Sequence, residues 1–130
     1  MSEDNVKVVS DLLDGFTSGD IAKAVGAFHA ECVVHEAESL PYGGDWNGPD
    51  EVMKLFSTMG AAFEVTMHKV DLYDCGGDKV LMHGDATYTS RATGRSLRTS
   101  MMEFHTIQDG KIIYSNVFYQ DTRSLLDLLA

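Results

Sequence analysis

After Gly60 the chain changes period. From Phe63 onward apolar and polar residues alternate, and the alternation divides into four extended runs, about Phe63 to Asp74, Lys79 to Thr93, Arg95 to Gln108 and Lys111 to Gln120. Cys75-Gly76-Gly77-Asp78, Thr93-Gly94 and Asp109-Gly110 separate them with residues suited to tight turns. Long strands joined by short turns meander antiparallel. Runs above ten residues, against a usual strand of about 5 to 6, imply a sheet that coils strongly, and a coiled sheet has a concave face that something must fill.

The first half of the chain supplies the filling. Val6, Val9, Leu12, Leu13 and Phe16 recur at helical spacing between Asn5 and Ser18, and Gly19 ends that helix. Asp20 is a natural N-cap for a second helix, Ile21 to Phe28. Glu31 to Glu38 switches to strand residues and runs into Ser39-Leu40-Pro41-Tyr42-Gly43-Gly44, which reads as a loop. Gly48-Pro49-Asp50-Glu51 opens a third helix, with proline in the first turn and acids toward the positive end of the dipole; Val52, Leu55, Phe56 and Met59 form its apolar face. Asp121 to Leu129 reads as a short terminal helix. The expected fold is α+β: one domain over residues 1–130, a cone-shaped, strongly curved, mostly antiparallel sheet wrapped around three N-terminal helices. Three short helices do not fill the wide end, so a central apolar pocket is expected there.

Charge narrows the partners. Ten Lys and Arg against twenty Asp and Glu give a formal net charge of -10, which repels phosphate backbones and anionic lipid, so neither nucleic acid nor membrane is expected as a partner. Arg91, Arg95 and Arg98 read as a solvated hairpin rim. No apolar run is long enough to cross about 30 Å of hydrocarbon, and the first residues are acidic where a secretory leader is basic. Cys32 and Cys75 have no metal-ligand or redox spacing and read as free buried thiols, which fits a cytoplasmic setting. His29, His68 and His105 are scattered, and nothing resembles a phosphate-cradling loop, so no metal and no cofactor is expected.

Three stretches resemble the nuclear-transport-factor-2-like superfamily, and within it the SnoaL-like polyketide cyclases and ketosteroid isomerases. The first is Gly19-Asp20-Ile21 running on to Val33-Val34-His35-Glu36. The second is Pro41-Tyr42-Gly43-Gly44 followed by Trp46-Asn47-Gly48-Pro49-Asp50-Glu51-Val52. The third spans Glu103-Phe104 through Asp109-Gly110-Lys111-Ile112 to Phe118-Tyr119-Gln120-Asp121. The resemblance covers nearly the whole chain. It implies the fold more strongly than the activity, because the superfamily hosts isomerases, cyclases, hydrolases, dehydratases and non-catalytic binding domains.

An ungapped count from Gly19-Asp20-Ile21 sets Glu36 on the isomerase base, and a carboxylate beside an apolar cavity would gain basicity by losing hydration. Neighbours on a strand face opposite ways, so either Glu36 or His35 points inward, and both are catalytic candidates. The resemblance places Tyr119 as a cavity-lining aromatic and possible hydrogen-bond donor. Asp121 is expected to cap the terminal helix, and His83 and Asp85 to lie on the outer face. Expected pocket-lining residues are Phe16, Val34, Phe56, Met82, Ser100, Met102 and Val117, with Tyr42 and Trp46 at the rim. Ser100, Met102 and Phe104 are read as the inner face of the third meander strand, and Leu81, His83, Leu97, Thr99 and Met101 as an outer face buried in a homodimer.

The expected ligand is a small apolar molecule. The expected activity is proton transfer or cyclisation on a carbonyl compound with Glu36 as general base; the alternatives are a non-catalytic carrier and an epoxide hydrolase or dehydratase. True steroid isomerisation is not expected: by the same count the isomerase donors fall on Leu12 and on Ser100 or Met102, and the developing charge would have to be met elsewhere, by Tyr119 or His35.

Overall fold

The computed structural model describes residues 2–130, with side chains from Asp4 onward. Its elements are α1 (Ser2–Ser18), α2 (Ile21–Gly26), β1 (Phe28–Glu36), β2 (Gly44–Asn47), α3 (Gly48–Ala62), β3 (Phe63–Asp74), β4 (Lys79–Ser90), β5 (Ser96–Gln108), β6 (Lys111–Tyr119) and α4 (Thr122–Asp127). The six strands form a curled, unclosed sheet in the order β2-β1-β6-β5-β4-β3. Only the β1–β6 pair is parallel. The fold class is the α+β arrangement read from the period change.

The helical hairpin is held by local chemistry. The Asp20 carboxylate accepts from the Lys23 N–H at 3.1 Å, capping α2. Gly15 lets the two helices touch: a Cβ there would stand 2.5 Å from the Ala24 backbone nitrogen. Val9 and Leu12 of α1, Ala24 of α2, and Val52, Leu55 and Met59 of α3 are buried against the inner faces of the strands. At the β5–β6 turn, Asp109 and Gly110 both take positive φ, 53° and 73°, matching the twist of a two-residue hairpin.

Four expectations are corrected. The second helix ends at Gly26 rather than Phe28, because the Ala27 carbonyl accepts from Ile112 N–H at 2.9 Å and draws the chain into the sheet two residues early. Between the loop and the third helix, where no element was expected, Gly44–Asn47 forms the edge strand β2, which pairs antiparallel with β1 through His35 opposite Asp45 and Val34 opposite Trp46. Cys75 is exposed rather than buried; Cys32 is buried, and both are free.

The fourth correction moves the site. On β5 the inward residues are Thr99, Met101, Glu103 and His105, not Ser100, Met102 and Phe104. Opposed residues of an antiparallel pair share a face, and β4 sets Met82 opposite Glu103, Gly84 opposite Met101 and Ala86 opposite Thr99. Because Met82 and Ala86 are buried, the odd-numbered residues of β5 share their inward face. Ser100 therefore lies outside, its Oγ 2.7 Å from His83 Nε2, and Met102 is 41% exposed.

Candidate functional site

The concave face closes around a cavity of about 60 Å³. That is several times the ~10 to 15 Å³ that admits one water. Of the expected lining residues, Phe16, Val34, Phe56, Met82, Val117 and Tyr119 are on its wall, together with Phe28, Met59, Met67 and Met101. The polar groups on the wall are Glu36, Tyr88, Glu103, His105, Ser115 and Tyr119, and no Lys or Arg is among the lining residues.

Glu36 ends β1 facing inward. The parallel register sets Val34 opposite Ser115 and His35 opposite Asn116, so Glu36 lies beside Val117 of β6. Glu103 of β5 opposes the same Val117 from the other side, so two glutamates flank one valine on the cavity floor. Glu36 is 3% exposed, and Tyr119 Oη donates to its Oε1 at 2.7 Å. Burial pushes its carboxyl up to about 8, the Tyr119 hydrogen bond opposes the rise, and the Glu103 charge adds to it. Glu36 is then mostly protonated at pH 7. Tyr119 is itself raised well above the usual phenol range by burial and by the Glu36 charge, so it stays a donor.

His105, 1% exposed, sits between two partners. Its Nε2 is 3.0 Å from Glu103 Oε1 and its Nδ1 is 2.7 Å from Ser115 Oγ. A carboxylate only accepts, which assigns the proton to Nε2 and leaves Nδ1 to accept from the Ser115 hydroxyl. The line Ser115–His105–Glu103 is a second hydrogen-bonded acid–base unit on the wall that holds Glu36.

The remaining candidates lie elsewhere. His35 faces the outer side, where its Nδ1 is 2.6 Å from Asp45 Oδ1 and its Nε2 is 3.8 Å from Glu38 Oε1. It borders a shallow outer groove with Tyr114 and Phe118. Tyr42 is buried rather than at the rim, and among the described residues its hydroxyl makes no well-formed hydrogen bond, the Tyr119 hydroxyl being its neighbour. Burial, then the Glu36 charge, pushes that phenol up. Trp46 is half-buried on β2 and donates its Nε1–H to the Tyr42 carbonyl at 3.0 Å, so it pins the loop instead of lining the cavity. Asp121 accepts from Ser124 N–H at 3.0 Å as the α4 cap.

Glu103 and His105 were missed in the sequence because β5 carries apolar residues at Met102 and Phe104 on the face that proves to be outside, whereas Ser115 follows from alternation on β6, where it shares the face of Val117 and Tyr119. The β4–β5 pairing register was the information that would have found the two on β5. The three arginines read as a rim make structural contacts: Arg98 forks onto Asp85 at 3.1 and 2.8 Å, Arg91 donates to the Gly60 carbonyl, and Arg95 to the Asp127 and Ala130 carbonyls. Among the described residues no group of three or more His, Cys, Asp or Glu is placed to hold a metal ion. Among the described residues no helix is long and apolar enough to cross a membrane.

The fold has many solved counterparts at low identity. An NTF2-like protein from Burkholderia xenovorans LB400 superposes with a TM-score of 0.90 at 18% identity, covering 100% of this chain and 98% of that one. TerC, co-crystallised with polyporic acid, gives 0.87 at 18% identity, covering 97% and 98%. A candidate polyketide cyclase from Xanthomonas campestris pv. campestris gives 0.86 at 12% identity, covering 98% of each. No functionally curated protein shows significant sequence similarity to the chain. The model of the SnoaL-like domain matches residues 9–115. With the sheet, its helical filling and most of the sequence accounted for, the chain belongs to the SnoaL-like family of NTF2-like proteins.

Proposed function

We propose that the cavity binds a small, uncharged, largely apolar carbonyl compound and that Glu36 is the general base that removes a proton from it, in an isomerase- or cyclase-type reaction. The observation that carries this reading is one carboxyl, buried on an apolar wall, raised to about 8 and oriented by a tyrosine. A base titrating near working pH combines an available ionised form with a strong pull on the proton. Because Tyr119 occupies Oε1, Oε2 is the atom left for substrate. Ser115–His105–Glu103 is a hydrogen-bonded polar edge of the same wall that orients the molecule beside Glu36. Met59, Met67, Met82 and Met101 give the wall the pliancy to widen around a ring.

The test is deuterium incorporation into the methyl group of acetophenone in heavy water, followed by NMR. Exchange should rise with pH through about 8, as Glu36 ionises, and level off above it. Glu36→Gln should lower it by at least about 100-fold. Exchange no faster than with an equal concentration of acetate would overturn the assignment and leave the carrier reading, which requires binding without exchange. An epoxide hydrolase or dehydratase on this wall would instead add or remove water with no exchange on a plain ketone.

We also propose a homodimer formed through the outer face of the sheet, in a reducing, cytoplasmic setting consistent with two free thiols. Thr99 and Met101 face inward and do not contribute. Met102 opposite Phe118, with Tyr114 nearby, and Tyr73 opposite Leu81 are exposed apolar residues on that face.

A further inference from the structure

Tyr88 is the one polar group on the cavity wall with no task in the scheme above. It faces inward from β4, is 2% exposed, and its ring is held edge-on between Phe63 at 5.6 Å and Tyr119 at 6.1 Å. Yet its hydroxyl forms no hydrogen bond with any described residue. Buried tyrosine hydroxyls nearly always find a partner, so an orphan at a cavity wall marks where a missing partner belongs. Tyr42 is a different kind of orphan, because its hydroxyl is sealed from any accessible space, whereas Tyr88 lines the void.

The surroundings specify the partner. Burial first, then the Glu103 charge, pushes the Tyr88 phenol far above its usual range, with Tyr42 and Glu36 adding to the effect. It therefore remains an O–H donor, and what it needs is an acceptor. The carboxyls within its electrostatic reach are Glu36 and Glu103, and no Lys or Arg lines the cavity to balance a further negative charge. An anionic acceptor is disfavoured there; a neutral oxygen is not. Tyr119 is committed to Glu36, so the developing charge of an enolate is left for another group on the wall to meet.

We propose that the Tyr88 hydroxyl is the donor to the carbonyl oxygen of the ligand, and that the cavity selects neutral carbonyl compounds over isosteric anions. The proposal rests on the reading of the cavity as a ligand site with Glu36 as its base. In the reaction, the Glu36 carboxylate takes a proton from the α-carbon, the C–H electron pair forms the enolate double bond, and the carbonyl π electrons move onto the oxygen that Tyr88 hydrogen-bonds. The Glu36 carboxyl, which now holds that proton, returns it to carbon, and no oxidant or reductant is required.

Three isosteres separate the terms: acetophenone, α-methylstyrene in which the C=O is a C=CH₂, and benzoate in which the methyl is an oxygen anion. Ligand-observed NMR titrations measure their affinities for the parent protein and for Tyr88→Phe. In the parent, acetophenone should bind about five- to tenfold more tightly than α-methylstyrene, a ratio typical of one net hydrogen bond, and at least tenfold more tightly than benzoate. Tyr88→Phe should bring acetophenone and α-methylstyrene to within about twofold of each other while leaving the styrene affinity unchanged. It should also slow acetophenone proton exchange by about 100-fold or more, the scale on which an oxyanion donor is lost. The comparison within the parent protein does not depend on how the variant folds. Equal binding of ketone and styrene in the parent, or an undiminished ratio in Tyr88→Phe, overturns the proposal; if Glu36→Gln still abolishes exchange, the general-base reading stands without it. Benzoate binding as tightly as acetophenone overturns the charge selection. If none of the three binds, the ligand-site reading falls and takes this one with it.

Discussion

Glu36 titrates near 4.5 in an unfolded chain and near 8 in the folded one. Between those values the unfolded chain has released a proton that the folded protein still holds, so its contribution to stability is complete below pH 4.5 and declines up to about pH 8. The difference corresponds to something on the order of 5 kcal/mol. Glu36→Gln keeps the shape and still accepts from Tyr119 but never ionises. Urea unfolding should therefore find the variant close to the parent at pH 4 and several kcal/mol more stable at pH 9; parallel stability profiles would mean that Glu36 is ionised in the fold. His35 provides the complementary expectation at this scale. Because it faces Asp45 on the outer side, His35→Ala should leave acetophenone exchange within about twofold of the parent, and a loss above tenfold would return it to the site.

At the scale of elements, the two ends of the α1–α2 connection should respond differently. Asp20→Ala removes one cap hydrogen bond and should cost about 1 kcal/mol in thermal or urea unfolding. Gly15→Ala forces a methyl against the backbone of α2, which cannot yield as a side-chain tip would, and should cost at least about 2 kcal/mol. A Gly15→Ala change as mild as the cap deletion would show that the helices slide apart freely. The period change at Gly60 marked these elements well, and the turn residues marked their ends: the strand from Phe63 to Asp74 begins and ends where alternation placed it, while that from Lys79 stops at Ser90 because the Ser90 N–H bonds to the Arg95 carbonyl and leaves 91–94 as the turn. Alternation did not say which face of β5 is inside, because both faces of that strand carry methionine.

For the whole molecule, the outer face is where assembly is expected. Phe118, 53% exposed, opposes Met102 on that surface. Light scattering at tens of micromolar should give twice the 14.3 kDa chain mass, and Phe118→Glu should shift it toward the monomer by placing charge in the interface. A monomer mass for the parent would remove the dimer. The cavity size bears on substrate choice at the same scale. About 60 Å³ is below the ~150 Å³ of a void known to take a single benzene, so even a one-ring ketone requires the methionine-lined wall to widen, and a four-ring steroid would need wholesale opening of the sheet from its helices. A β,γ-unsaturated steroid ketone should accordingly be turned over close to the rate of a lone carboxylate, and turnover near that of true isomerases, lost in Glu36→Gln, would contradict both the volume and the donor assignment.

The sequence by itself determined the class of fold, because period, caps and turn residues act over a few neighbouring positions and are written locally. Gly19-Asp20, Gly48-Pro49 and Asp109-Gly110 each needed only their own surroundings. It also brought Glu36 to notice, through a resemblance rather than through strand parity, which left His35 equally eligible. What only the tertiary structure decided was which side chains share the cavity. Glu103, His105 and Ser115 come from two strands, Glu36 from a third and Tyr88 from a fourth, and their meeting depends on pairing register and sheet curl, which are properties of residues tens of positions apart. A register displaced by one residue would turn every one of those side chains to the other face. That choice is made by the burial of the whole concave surface at once, with Met82 and Ala86 carrying the polar residues opposite them into the core.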